Sequence, residues 1–348
     1  MKSLDRLVQR ANLFLKFQYN KRRKNYSPLV ALLFLTSRCN LNCNYCFAEH
    51  RGEFEDLSVE QWKGIIDELK QRGTKLVFLM GGEPLLYKGV EEIIEYTKEK
   101  GIQCHLTTNG VLIPQFVKAL RKVDLLMVSL DGSKKGNDLN RGTGSFEKIT
   151  RGIGVAKENN IPVRINCVLT KNNVEDVEWL LDYAEKNDAY VGFTIPARCS
   201  ALDSMSDEVL SDKEIIAIHN RLLELKKAGR KITLSERSIM HILNYPKHFH
   251  ELVYKSEPNC REISGECCYG RYIIFIDAEG SIYPCTTLWE FPEVFKPKNV
   301  FRDGWDEALK NAQELPCWIC YCAGGVEWDY MTSFRGTIHA LRFSLTQV

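Results

Sequence analysis

The chain has 348 residues, 44% hydrophobic and 26% charged. That is enough for one large α/β domain, or for a core with a small second domain. A formal net charge of +2 provides no global field for a nucleic-acid partner. The longest early apolar run, 29–35, falls far short of the roughly 20 residues that a membrane span needs.

No apolar segment near the start resembles a secretory signal, so a cytoplasmic location is expected. Residues 1–19 place Leu4, Leu7, Val8, Ala11, Phe14 and Leu15 at helical spacing and predict an amphipathic helix. The basic run Lys21-Arg22-Arg23-Lys24 follows. Such a helix either closes the bottom of the fold or makes a peripheral contact with an anionic membrane. A buried-type strand over 29–35 then leads into a cysteine loop. Further strands are predicted over 76–80, 103–107, 125–130, 163–169 and 190–194, and helices over 58–71, 90–100, 113–121, 145–159 and 174–186. Ser58 and Gln61 form a capping-box signature, and Gly101 stands where a helix-ending glycine belongs.

Strands without polar alternation, separated by helices, predict an α/β fold: a parallel sheet read as an open, partial (β/α)6 barrel. Active sites of such barrels lie at the C-terminal ends of the strands, where the cysteine loop falls. Beyond ~200 the pattern changes. One more helix over 212–227 precedes an irregular polar stretch over 228–266. A hairpin over 271–276 and 281–285, turning at Gly280, then opens a small cysteine-rich domain. The expected division is 1–26 (helix and basic linker), 27–230 (core barrel) and 231–348 (cysteine-rich domain).

Thirteen cysteines, an odd number, favour metal binding over disulfides. Cys104, Cys167 and Cys199 stand singly and read as inert core residues. Cys39, Cys43 and Cys46 share one short loop with C-x3-C-x2-C spacing. Soft thiolates suit an iron–sulfur cluster, and three of them leave one iron open. The other reading is a zinc site completed by a fourth ligand such as His50.

The loop Cys39-Asn40-Leu41-Asn42-Cys43-Asn44-Tyr45-Cys46 resembles the signature of the radical S-adenosylmethionine (SAM) superfamily, with Tyr45 as its aromatic residue. Met80-Gly81-Gly82-Glu83-Pro84 is similar to that family's GGEP motif. Thr107-Thr108-Asn109-Gly110, Ser129-Leu130-Asp131-Gly132, Asn137 through Arg141, and Asn166 extend the resemblance over roughly 30–200. It implies a [4Fe–4S] cluster on the three cysteines. It also implies SAM contacts from Tyr45, Gly81, Gly82, Glu83, Pro84, Asn109, Ser129, Asp131, Arg141 and Asn166. Glycines there suit close backbone approach, and Glu83 suits the SAM ammonium group. The alternative for Arg141 is a surface-loop cation, and for Asn166 a strand-end amide.

Cys268, Gly280 and Cys285 resemble the opening of the SPASM and twitch extensions that carry auxiliary [4Fe–4S] clusters. Cys317-Trp318-Ile319-Cys320-Tyr321-Cys322-Ala323-Gly324-Gly325-Val326 departs from a full SPASM pattern: Val326 replaces a cysteine and no cysteine follows Cys322. One auxiliary cluster is expected, on Cys268, Cys285, Cys317 and Cys320, with Cys260, Cys267 and Cys322 as substitutes. A structural zinc site is the alternative. The resemblance implies reductive cleavage of SAM to a 5′-deoxyadenosyl radical, with a flavodoxin or ferredoxin as electron donor. A net oxidation or bond formation would follow, on an aminocyclitol-like or sugar-like small molecule or on a peptide. A membrane-associated enzyme acting on a lipid or lipid-linked sugar is a second reading, and a non-catalytic iron–sulfur or zinc sensor a third. Glu49, His50 and Arg198 are candidate acids and bases.

Overall fold

The structure, a computed structural model, describes residues 2–46, 55–196, 208–249, 251–260, 267–289 and 291–331. Glu49, His50, Arg198 and Cys199 lie outside these residues. The expected strands form: β1 Val30–Phe34, β2 Leu76–Met80, β3 Gln103–Thr108, β4 Leu125–Ser129, β5 Val163–Val168 and β6 Tyr190–Thr194. They pair in parallel and in chain order. Helices α2 Val59–Gln71, α3 Val90–Glu99, α4 Val117–Leu120, α5 Lys134–Arg141, α6 Ser145–Glu158 and α7 Val177–Lys186 connect them. Ser58 caps α2 through a complete capping box with Gln61. The strand period of two sends Ala31, Leu33, Ile165 and Cys167 into the main apolar core. Leu32, Phe78 and Arg164, on the other face, line the concave side of the sheet.

Helix α1, Lys2–Arg23, runs into the basic cluster, and Lys21, Arg22 and Arg23 fill its last turn. There they complement the carbonyl end of the helix dipole. Its buried face differs from the one expected. Leu13, Phe17 and Asn20 are buried, whereas Leu15 is 61% exposed. Phe17 selects this face by packing on Tyr272, ring centroids 4.7 Å apart. The helix thereby covers Leu29, Val30, Leu76 and Ile273, at the starts of β1, β2 and a later strand. No helix among the described residues is long and apolar enough to cross a membrane.

The segment 228–266 is less irregular than its polarity suggested. It contains a helix, Glu236–Leu243, and β7, Leu252–Tyr254. The hairpin forms as β8 Ile273–Ile276 and β9 Ser281–Tyr283, with Gly280 at φ +86° in its turn. It also extends the core sheet, because β8 pairs in parallel with β1. With β10, Lys298–Asn299, beyond β9, the sheet has nine strands in the order β10-β9-β8-β1-β2-β3-β4-β5-β6. β11, Cys317–Cys320, pairs only with β7. The cysteine-rich part is thus joined through its hairpin to the strand that carries the first cysteine loop.

Candidate active site and second thiol cavity

The first cysteine loop leaves the C-terminal end of β1 and is held by the backbone after β2. Gly82 N donates to Thr36 O at 2.7 Å, and Glu83 N donates to Arg38 O at 2.8 Å. A Cβ on Gly81 would stand 2.6 Å from Thr36 O, and one on Gly82 2.5 Å from Ser37 O. The close approach that the two glycines permit is therefore to the cysteine loop itself. Pro84 follows as the first residue of a short 3₁₀ turn, where its missing N–H costs nothing.

Glu83 is fully buried. Its carboxylate accepts from Leu85 N, Thr108 Oγ1 and Asn109 N at 3.1, 2.8 and 2.7 Å. This acid, expected at the SAM ammonium group, braces the end of β3 against the glycine turn. Burial outweighs its three hydrogen bonds and pushes it up to about 7. A carboxyl raised in the folded state holds its proton while the unfolded chain has released its own. Stability therefore falls as pH rises from the unfolded value of about 4.5 through about 7, by about 3 kcal/mol in all. Urea unfolding at pH 5 and pH 8 should show this slope, and Glu83→Gln should flatten it; an unchanged slope would exclude Glu83 as its source.

The other side of the loop docks on α5. Asn44 N donates to Asn140 O at 3.1 Å, and the Asn44 amide bonds Glu208. Tyr45 OH donates to Asp131 Oδ2 at 2.5 Å. Asp131 Oδ1 accepts from Val168 N at 3.0 Å and from Arg141 Nη2 at 3.1 Å, and Arg141 Nε lies 2.8 Å from Oδ2. Arg141 is 6% exposed and Asp131 0%. Arg141 is thus a buried ion-pair partner on a helix and not a surface-loop cation. Ser129 and Asn166 stand side by side in register at the ends of β4 and β5.

The three thiols fit a cluster. Cys43 is buried, Cys46 partly so and Cys39 exposed. Asn109 Nδ2 stands 3.9 Å from Cys39 Sγ and Arg141 Nη1 stands 3.9 Å from Cys43 Sγ, as donors to thiolate sulfur should. Burial pushes the free Cys43 thiol up to about 12, opposed by Arg141 and reinforced by Cys46 and Cys39. A bound metal reverses this and takes the thiolate. Among the described residues no group of three or more His, Cys, Asp or Glu is arranged to hold a metal ion.

A second cavity lies where β11 meets the hairpin. Cys267, Cys285, Cys317, Cys320 and Cys322 all line it, as does Tyr269. Cys268, expected as a ligand, is instead buried with Leu13, Phe17 and Val30 beneath the sheet. Consecutive residues of extended chain point to opposite sides, so only one of the Cys267–Cys268 pair can face the cavity. Cys260 packs with Val253, Ile319 and Val326, and its Sγ lies 3.7 Å from Lys255 O. Gly324 and Gly325 leave room for the ligand side: a Cβ there would stand 3.0 Å from Tyr269 Oη and 2.9 Å from Cys267 Sγ, respectively. The Tyr269 phenol is pushed up by burial and by the negative charge of Cys322, Cys285, Cys267 and Cys320 around it. No spacing motif marked Tyr269 in the sequence. Cys267→Ala is expected to lower the bound iron more than Cys268→Ala does, as read by iron and sulfide analysis. The reverse order would exclude this arrangement.

The profile of the Radical SAM superfamily matches residues 33–184. The chain is 30% identical over 328 residues to an AdoMet-dependent heme synthase of Methanosarcina barkeri, covering 86% of this chain and 91% of that protein. The chain belongs to the radical SAM superfamily. It is an enzyme of the kind that acts on small molecules or peptides, with a [4Fe–4S] cluster and SAM as cofactors. It is also 37% identical over 175 residues to an Fe-coproporphyrin III synthase of the same organism, a match spanning 49% of this chain and 43% of that protein. The fold is similar to that of Streptococcus suis SuiB. TM-scores are 0.66 for SuiB bound to SAM and 0.64 for SuiB bound to the precursor peptide SuiA. Both structures are 18% identical and cover 91% of this chain, and the chain covers 77% and 76% of theirs.

Proposed function

We propose that Cys39, Cys43 and Cys46 hold the SAM-binding [4Fe–4S] cluster, that four of the five thiols in the second cavity hold one auxiliary [4Fe–4S] cluster, and that the substrate is a tetrapyrrole. When bound, SAM and the reduced cluster supply a 5′-deoxyadenosyl radical that removes a hydrogen atom from the substrate. The observation that carries the cluster reading is the clamping of the tri-cysteine loop between the glycine turn and α5. The polypeptide's part is to fix the thiols, to orient substrate on the concave face of the sheet and to exclude water. In this reading residues 27–230 form the SAM core, 231–348 build the auxiliary site, and 1–26 brace the lower end of the barrel. A flavodoxin or ferredoxin supplies the electron. An auxiliary cluster held by four of Cys267, Cys285, Cys317, Cys320 and Cys322 would supply a one-electron acceptor for a net oxidation.

The tetrapyrrole assignment is supported by similarity to a heme synthase along most of both chains. Neither M. barkeri relative is named for an aminocyclitol or a lipid. A peptide is the second reading, favoured by the fold shared with SuiB, which was crystallised with its precursor peptide. The test is anaerobic reconstitution, reduction with dithionite and incubation with SAM and iron–coproporphyrin III. The expected result is porphyrin-stimulated 5′-deoxyadenosine release with a change in porphyrin mass. Unstimulated release with unchanged porphyrin would end the tetrapyrrole reading. No release at full iron loading would end the radical reading and favour a sensor.

A further inference from the structure

Arg164 is the second residue of β5 and is partly buried. Its neighbour Ile165 and then Cys167 enter the helix-covered core. Arg164 and Asn166 therefore face the concave side of the sheet. In register, Met127 and Tyr190 flank Arg164, and Ser129 and Gly192 flank Asn166 one layer nearer the cysteine loop. Arg164 Nε is buried without a hydrogen-bond partner. Its Nη2 rests against Met127 Sδ, a weak acceptor. Among the described residues no carboxylate pairs with it, and burial alone lowers its guanidinium to about 10.

Arg141, by contrast, has Asp131 at 2.8 Å. A guanidinium keeps its charge at physiological pH, and leaving its Nε out of reach of water and unpaired is unfavourable unless a ligand completes it. Its planar fork matches two oxygens of a carboxylate or a phosphate. The position lies one layer below Asn166, on the same face of the sheet.

From this geometry we infer that Arg164 binds an anionic oxygen group of the substrate, a carboxylate or a phosphate, and so fixes which end of the substrate points down the barrel. This rests on the reading that substrate enters the concave face. It goes beyond that reading by defining the substrate as an anion and naming the residue that selects it.

The test uses the full, cluster-loaded chain under anaerobic conditions. Thermal unfolding is followed with malonate, inorganic phosphate, or sodium chloride at matched ionic strength. Malonate or phosphate should raise Tm of the unmodified protein more than chloride does, and the more effective of the two identifies the oxygen source. Arg164→Met should unfold at a higher temperature than the unmodified protein without added anion, and should lose the anion-specific shift. Arg164→Lys should keep part of it, and it decides the matter if Arg164→Met does not fold. Iron–coproporphyrin III should bind Arg164→Met at least about tenfold more weakly. The inference is overturned by equal anion shifts in the unmodified and substituted proteins, including no shift in any, or by a lower Tm of Arg164→Met without anion. Substrate-free 5′-deoxyadenosine release from the unmodified enzyme is measured in parallel. Its absence would sink the radical reading while leaving the anion result standing.

Discussion

Gly82→Ala is expected to abolish SAM cleavage and to destabilise the protein by about 2–4 kcal/mol. The added methyl carbon would lie 2.5 Å from Ser37 O and 2.6 Å from Arg38 O. These are backbone atoms on the loop that carries Cys39, so no side chain can swing aside. Relief requires the β2 turn and the cysteine loop to separate. That breaks the Gly82–Thr36 and Glu83–Arg38 hydrogen bonds, at 2.7 and 2.8 Å. Cys39 begins one residue later and moves with them. The check is iron content, 5′-deoxyadenosine release and urea unfolding of Gly82→Ala beside Gly64→Ala. A Cβ at Gly64, in α2, meets nothing within 4 Å, and the substitution there should be neutral or slightly stabilising. Normal cleavage by Gly82→Ala would mean that the glycine turn does not clamp the loop.

Asp131→Asn is expected to cost about 3–5 kcal/mol and to release Tyr45. The carboxylate neutralises Arg141, accepts from Tyr45 OH and Val168 N, and has no access to water. An asparagine keeps the shape but leaves the guanidinium charge uncompensated, and its amide N–H₂ meets another donor. Arg141→Met should be nearly as damaging, since it leaves the Asp131 charge buried. The double substitution Asp131→Asn with Arg141→Met should recover part of the loss, because no net charge is then left inside. Denaturant unfolding of the four proteins measures the coupling. Strictly additive losses would show that the pair does not act as a unit. The signature for SAM binding, read by titration of the loaded protein, should weaken with the Tyr45 contact.

Much of the core could be read along the chain. The parallel strands were legible because each is a short apolar run that the helices cover. The strand β2, for example, has no polar residue from Leu76 to Met80. The clusters of cysteine and glycine were legible because few other arrangements need thiols and flat backbone at such spacing. Helix α5 was not read. Its sequence, Lys134–Arg141, is strongly polar, yet Gly136, Asn137, Asn140 and Arg141 are buried by hydrogen bonds and the ion pair with Asp131. Polar burial of this kind leaves no apolar period to detect.

The sequence by itself determined the order of strands, the cysteine triad and the glycine turn after β2, because local spacing and backbone freedom dictate them. Tertiary structure decided the partners. It turned Glu83 and Asp131 inward, set Cys267 rather than Cys268 on the thiol cavity, put Leu13 and Phe17 rather than Leu15 against the sheet, and left Arg164 with no carboxylate partner among the described residues. Each of these depends on which groups meet across long sequence separations and on how much water remains there. Neither quantity is encoded in the spacing of residues along one chain.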